Sequence, residues 1–171
     1  FRKQRIKIGA FARNVSIENF VLNDSTINQS IVNFLPQVNY TYKFSNSKRF
    51  RFNYKTNSSQ PSINQLQPVL NNSNPNRITV GNSNLVPNYV HNFNLRYYTW
   101  KALTGSYIFT GLTYRLTQDA FSSSVEYDSI GRTISKTVNI DNNQNGYFYF
   151  GGGIPLISTI LSVNPGLNLG Y

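Results

Sequence analysis

Cysteine and methionine are absent from these 171 residues, histidine and tryptophan occur once each, and only six residues are acidic. Without cysteine there is no disulfide scaffold and no thiolate metal site, and the compartment stays open. No apolar run approaches the ~18 residues of a transmembrane helix. The longest, residues 154–161, is interrupted by Pro155, Ser158 and Thr159. The acids Glu18, Asp24, Asp119, Glu126, Asp128 and Asp141 show no ligand spacing; Glu126 and Asp128, two apart at a hairpin tip, are at most a weak surface cation site. Gly151-Gly152-Gly153 has no Lys-Ser/Thr after it and no helix, so it is not a phosphate loop; a bend or close packing suits it better. The single His91 falls on an apolar strand face, where a structural role is expected. No catalytic constellation, metal site or cofactor site emerges, and the chain reads as non-enzymatic. It starts at Phe1 with no signal-peptide core, which reads as a segment of a longer polypeptide.

What is present points to strands. Aromatics reach 15%, with 12 Tyr and 12 Phe, and there are 25 Asn, while helix formers are scarce. Residues 37–56 set the pattern. Val38, Tyr40, Tyr42 and Phe44 alternate with Gln37, Asn39, Thr41 and Lys43; Phe50, Phe52 and Tyr54 alternate with Arg49, Arg51, Asn53 and Lys55. Two period-two runs split by a small polar cluster predict a β-hairpin. Matching like faces pairs Phe44 with Phe50 and Tyr42 with Phe52, with Ser47 at the apex of an Asn46-Ser47-Lys48 turn. One face is then aromatic and the other cationic. A soluble sandwich also alternates, so this hairpin does not choose the medium.

The remaining pattern predicts strands over residues 4–15, 34–44, 49–57, 88–99 and about 104–118, a sixth over 132–157 interrupted at 141–146, and a last one over 161–171. In residues 88–99, His91, Phe93, Leu95 and Tyr97 oppose Asn92, Asn94 and Arg96. In residues 104–118 the aromatic positions switch from odd (Tyr107, Phe109) to even (Leu112, Tyr114, Leu116); a bulge near Gly111 and partial cover of both faces both fit. Connections alternate long and short: 16–33, 46–48, 58–87, 100–103. Residues 122–131 read as a polar hairpin tip turning at 128–131. Segregated loop lengths and strands near ~10 residues are the arrangement of an outer-membrane β-barrel. The expected fold is all-β, an antiparallel up-and-down meander of about six to eight strands. About seven strands are present and single-chain bacterial barrels close with an even number, so residues 1–171 are expected to form one arc of a larger barrel, without a plug. The alternatives are a soluble β-sandwich or adhesin-like glycan-binding module, and a passive or structural barrel.

Net charge is +10. Lysines and arginines on a lumen or loops would answer acidic groups elsewhere in the protein or lipid phosphates, or would funnel anionic substrates. Basic and aromatic residues interleave at 48–55 as on a nucleic-acid stacking surface. They alternate along strands and do not cluster on a loop, so nucleic acid is not an expected partner.

The most specific signal is in the long connection. It reads Ser59-Gln60-Pro61-Ser62-Ile63-Asn64-Gln65-Leu66-Gln67-Pro68, then Asn74-Pro75, then Gly81-Asn82-Ser83-Asn84-Leu85-Val86-Pro87. This resembles the C-terminal half of TonB-dependent outer-membrane receptors, where an aromatic strand leads into a "Pro-Ser-Ile…Gln-Leu" and then a "Gly-Asn-Pro-x-Leu-x-Pro" segment. Phe34-Leu35-Pro36 and Val138-Asn139 also fit the related outer-membrane β-barrel family of Bacteroidetes type. Ser83, Asn88 and Gln60 depart from the usual Pro, Glu and Arg, which bears on loop contacts more than on fold. Pro61, Pro68 and Pro87 hold their preceding residues extended, and Gly81-Asn82 suits a turn, so the loop can fold back over a barrel mouth.

The resemblance implies a place in the cell outer membrane and energised import of a bulky solute, such as an iron chelate, glycan, corrinoid or peptide. The implied partners are outer-membrane lipid, the remaining strands and plug, the TonB system acting through that plug, and possibly a surface lipoprotein. Lipid-facing residues would be Val38, Tyr40, Tyr42, Phe44, Phe50, Phe52, Tyr54, Phe93, Leu95 and Tyr97. Lumen-facing residues would be Thr41, Lys43, Arg49, Arg51, Asn53, Lys55, Asn94 and Arg96. Ligand contacts would come from Gln60, Asn64, Gln67, Asn71, Asn72 and Arg77.

Overall fold

The computed structural model describes residues 3–21, 25–67, 70–74, 76–157 and 160–171, with side chains for all of these but 17–21, 25–29, 70–73 and 157. Ten strands form the molecule: β1 (Gln4–Val21), β2 (Ser25–Lys43), β3 (Lys48–Ser59), β4 (Leu70–Asn74), β5 (Arg77–Val80), β6 (Asn88–Lys101), β7 (Ser106–Tyr127), β8 (Thr133–Ile157), β9 (Leu161–Val163) and β10 (Gly166–Gly170). One helical turn, α1 (Ile63–Leu66), lies between β3 and β4. The strand order is β1-β2-β3-β6-β7-β8-β5-β4, with β9 and β10 also on β8. The sheet is a single layer and does not close on itself.

Parity was right and register was not. The β2–β3 hairpin pairs Tyr42 with Phe50, Tyr40 with Phe52 and Lys43 with Arg49, two residues away from the expected pairing. A two-residue slip keeps every side chain on its face, so hydrophobic alternation cannot detect it. The chain turns through Phe44–Ser47, with the Phe44 and Ser45 N–H groups on the Lys48 carbonyl at 3.0 and 3.4 Å. Phe44 packs edge-on against Tyr42, ring centroids 4.6 Å apart, and against Tyr97 at 6.3 Å.

Three expected loops are strand. Residues 16–21 and 25–33 belong to the β1–β2 ribbon, whose pairing continues unbroken from Gln4 with Tyr42 to Val21 with Ser25. Residues 122–127 continue β7, and 141–146 continue β8. Residues 141–146 carry no apolar side chain and the other two segments mix apolar and polar residues without a sustained period of two, yet their backbones pair as well as any others. At 22 and 25 residues, β7 and β8 run for about 73–83 Å, more than twice a ~30 Å hydrocarbon layer. The expected turn at 100–103 forms later: Trp100 and Lys101 pair with Tyr107 and Ser106, and Gly105 closes the turn at φ 68° with its N–H on the Lys101 carbonyl. The last expected strand divides into β9 and β10.

Of the two readings of residues 104–118, the bulge near Gly111 is not there. Pairing of β6 with β7 and of β7 with β8 runs through Gly111 without a shift. Tyr107 and Phe109 simply stand on the opposite face from Leu112, Tyr114 and Leu116. The meander is also broken once, because β5 pairs parallel to β8, Arg77–Val80 beside Thr133–Lys136.

That parallel pair is part of a built connection. Residues 60–87 leave β3 and dock on the base of the β7–β8 ribbon. The Asn82 amide donates to the Thr137 carbonyl at 3.0 Å, and the Val86 N–H donates to Asn139 Oδ1 at 2.9 Å. Asn139 Nδ2 donates in turn to the carbonyls of Val86 and Asp119. Gln65 Oε1 accepts from Ser62 N–H and Oγ, closing a capping box on α1. Leu66 and Leu85 lie fully buried beneath this connection's backbone path. At Gly81 a side chain has no room, because a Cβ would overlap the Gln67 carbonyl oxygen. The motif that looked like turn chemistry is a clamp. Residues 68, 69 and 75, including Pro68 and Pro75, lie outside the described residues, as does Asp24.

Gly81→Ala and Asn139→Ala should each undock this connection at a cost of about 1–3 kcal/mol. Limited proteolysis of the protein in lipid would then cut within residues 60–87 while β1–β3 stays protected. An uncut connection in both variants would contradict the clamp.

Candidate functional site

Pairing sorts the side chains into two faces. One rung carries Tyr42, Phe50 and Tyr97, the next Tyr40, Phe52 and Leu95, the next Val38, Tyr54 and Phe93. All ten residues expected on the apolar side therefore share a face. They are half-buried against one another, not sealed: Phe44 is 54% exposed, and Ile6 and Ile8 on the same face are 60% and 79% exposed. Among the described residues only Leu35, Leu66, Leu85 and Ala120 form a buried apolar core. A β-sandwich would seal Tyr42 and Phe52 between two layers; no second layer stands over them among the described residues. Tyr54 stacks on Phe93 with centroids 4.8 Å apart, and its hydroxyl meets His91 Nδ1 at 2.9 Å, the structural role expected for that histidine.

The opposite face holds all eight residues expected there. Thr41, Arg51 and Arg96 make one rung, continued by Arg5 on one side and Gly111 on the other. Lys43, Arg49, Tyr98 and Phe109 make the rung nearest the short turns. Asn39, Asn53, Asn94 and Thr113 make a third, tied by Asn53 Nδ2 donating a hydrogen bond to Asn39 Oδ1 and by Asn94 Nδ2 donating to Thr113 Oγ1 at 2.8 Å. Lys55 sits beside Asn92, whose Oδ1 accepts from Arg115 Nε at 3.0 Å. Next to the 44–47 turn, Arg49, Arg51, Arg96, Tyr98, Asn46 and Ser47 enclose a recess of about 300 Å³.

Sequence reasoning missed the aromatic part of this face. Phe109 lies across Gly151, Tyr107 across Gly153 and Tyr149 across Gly111; a Cβ at any of these glycines would overlap the ring above it. The glycine run thus provides slots for rings of the neighbouring strand, the cross-strand arrangement that protects strand glycines. The signal was available as Gly at one cross-strand position and an aromatic at its partner, but it requires the register to be known.

The loop candidates separate. Asn64 and Arg77 are exposed, on α1 and β5. Gln60 is half-buried, with its Nε2 lacking a hydrogen-bond partner among the described residues. Gln67 ends α1 with its N–H on the Ile63 carbonyl and its own carbonyl under Gly81, a structural position. Asn71 and Asn72 lie on β4, but their side chains fall outside the described residues. No group of three metal-ligating side chains occurs among the described residues. Asp128 is engaged at its turn: Oδ2 accepts from Arg132 Nε at 2.6 Å, and Oδ1 accepts from the Ile130 and Arg132 N–H groups. Both oxygens are thus engaged within the turn, and no third metal-ligating side chain joins Glu126 and Asp128 among the described residues. The Arg132 hydrogen bond holds the Asp128 carboxyl below its ordinary value.

A family model described as the outer membrane protein beta-barrel family matches residues 1–171. The crystal structure of the siderophore receptor PirA from Pseudomonas aeruginosa is similar, with a TM-score of 0.60 at 14% identity over 98% of this chain. The match covers 34% of that receptor chain, so these residues span about a third of its length. No curated protein sequence matches.

A depressed carboxyl stabilises the turn above its ordinary value of 3.8, and the contribution disappears as pH falls through the lower folded value. Hydrogen exchange at the Ile130 and Arg132 amides should accelerate, relative to other turns, only below about pH 3.8. Asp128→Asn should abolish that pH step. A wild-type turn without the step would refute the pairing.

Proposed function

The chain belongs to the outer membrane β-barrel family, and from that premise we propose that it forms wall and outer ribbons of a TonB-dependent receptor importing a bulky solute. The observation that carries this reading is the single-layer sheet, with rings on one face, cations and amides on the other, and no layer behind either. In the outer membrane such a sheet meets hydrocarbon on its ring-bearing side and a lumen on its polar side. Val38, Tyr40, Tyr42, Phe44, Phe50, Phe52, Tyr54, Phe93, Leu95 and Tyr97 then face lipid, and Thr41, Lys43, Arg49, Arg51, Asn53, Lys55, Asn94 and Arg96 face the lumen. Open sheet edges are untenable in lipid, so further strands complete the wall.

The ends of the wall differ as the import reading requires. Short turns at 44–47 and 102–105 form one rim, taken as periplasmic. At the other rim the β1–β2 and β7–β8 ribbons project, and the clamped connection sits among them. That connection offers Gln60, Asn64 and Arg77 to a solute, with Asn71 and Asn72 on the adjacent β4. The likeness to a siderophore receptor barrel supports an iron chelate among the solute classes. A plug inside the lumen and the TonB system behind it supply the energy coupling, and a surface lipoprotein is a further partner.

Phe52→Arg tests the lipid assignment. It should cost about 2–4 kcal/mol of folding free energy in bilayers if the site lies near the midplane; a neutral effect would reverse the faces. Alanine replacing Gln60, Asn64 and Arg77 together should weaken solute uptake by the full-length receptor in cells. Unchanged uptake of every transported solute would take these residues off the binding surface, and a full-length chain with no plug would leave a passive barrel.

A further inference from the structure

The cationic face is uneven along its length. Lys3, Arg5, Lys43, Arg49, Arg51 and Arg96 crowd the rim that carries the 44–47 turn. Cross-strand pairing sets Lys43 directly beside Arg49, and Arg51 directly beside Arg96. Like charges in directly opposed positions repel. No acid among the described residues lies near them. Following β7 from Gly111, which pairs with Arg96, the first acid is Asp119, eight residues on and about 26 Å away. Ions in solution screen over only ~8 Å. Glu126, Asp128 and Asp141 belong to the distant part of the β7–β8 ribbon, and Glu18 pairs with Asn28 far along β1. Among the described residues the one ion pair is Arg132 with Asp128.

These cations line two recesses that share Arg49 and Arg51. The first, about 300 Å³, adds Arg96, Tyr98 and the turn residues Asn46 and Ser47. The second, about 260 Å³, adds Lys3, Arg5 and Lys43. We propose that this paired recess is a permanent docking site for carboxylate side chains of an acidic face on the lumen-filling part of the same receptor. The inference rests on the receptor reading above and names the chemistry of one contact within it.

Three observations favour a resident polypeptide over a passing solute. The cluster lies at the short-turn rim, at the far end of the wall from the projecting ribbons. It spreads over four strands, about 15 Å at ~4.8 Å per strand, wider than one small anion can answer. The repulsion between neighbouring cations is constant, so a counter-charge that leaves with each transport cycle would leave the wall strained. Arg49, Arg51 and Arg96 present planar forks suited to bidentate carboxylate contact. Beside them, Tyr98, Phe109 and Tyr147 expose ring surface for the apolar part of the same face, at 48%, 41% and 47%.

Zero-length carbodiimide coupling on the full-length receptor in outer membranes tests this, because it joins an amine only to a carboxylate already in contact. Lys43 or Lys3 should couple to Asp or Glu of the lumen domain. Arg51→Glu with Arg96→Glu should lower that yield at least tenfold, and the milder Arg51→Gln with Arg96→Gln should lower it in the same direction if the reversal does not fold. Coupling of the lumen domain only through distant amines such as Lys55 would overturn this inference and leave the receptor reading standing. Loss of Lys3 and Lys43 reactivity on adding citrate, with no coupling to protein carboxylates, would assign the recess to small anions and overturn it too. A full-length receptor chain without any lumen domain would instead overturn the receptor reading itself.

Discussion

The backbone ladder between neighbouring strands is the constraint on which everything else depends. A single-layer sheet has no second sheet or helix against which to bury its side chains, so layer packing cannot fix its geometry. What fixes it is the requirement that each backbone N–H and C=O find a partner where water is excluded. The pairing of β6 with β7 and of β7 with β8 runs for more than a dozen rungs without a bulge. Even Asp119, in the left-handed region at φ 51°, interrupts the strand without changing its register. Side chains then adapt to the ladder. Rings lie over cross-strand glycines, amides bond along rungs, and small residues such as Thr56 and Ser58 take the buried positions.

This order of control explains which features the sequence made legible. Alternation was clear in residues 37–56 and 88–99, where the two faces differ in chemistry. The face of every residue there could be read before its partner was known. Register could not be read, since Phe44 opposite Phe50 and Tyr42 opposite Phe50 satisfy the same parity; the turn geometry at 44–47 decides. The ribbons were illegible for the opposite reason. Residues 16–33 scatter Ile17, Phe20, Val21, Ile27, Ile31 and Val32 over both parities, and residues 122–127 hold only two apolar side chains, so neither shows a sustained period of two. Strand β7 misled because its apolar residues change faces, from rings seated on glycines to side chains on the ring-bearing side, with no change in backbone.

The connection at 60–87 shows a different limit. Its Gly-Asn pair was read as turn chemistry, and the order of its segments carried the family resemblance. Their task was not visible. Gly81 is needed for a close backbone crossing, and Asn82 and Asn139 fasten the connection to β8. Residues that bond the loop to the wall are occupied and cannot also bind solute through the same groups. The polar side chains left free of such bonds are therefore fewer than the run of polar residues suggested, since those of Gln65 and Asn82 are engaged within the connection and on β8.

Charge completes the argument, because it divides the wall along its axis as the ladder divides it across. The acids of β7 and β8 lie in the projecting ribbon, where Asp128 serves a turn. The densest cations lie at the other rim, on the polar face, without partners within the described residues. Rings on one face are satisfied by a medium, and amides on the other by one another. Adjacent guanidinium groups have only donors, so they cannot answer one another as the amides do, and they take acceptors from water or from another part of the protein. Under the reading proposed above, an acidic face in the lumen is the component able to remain there.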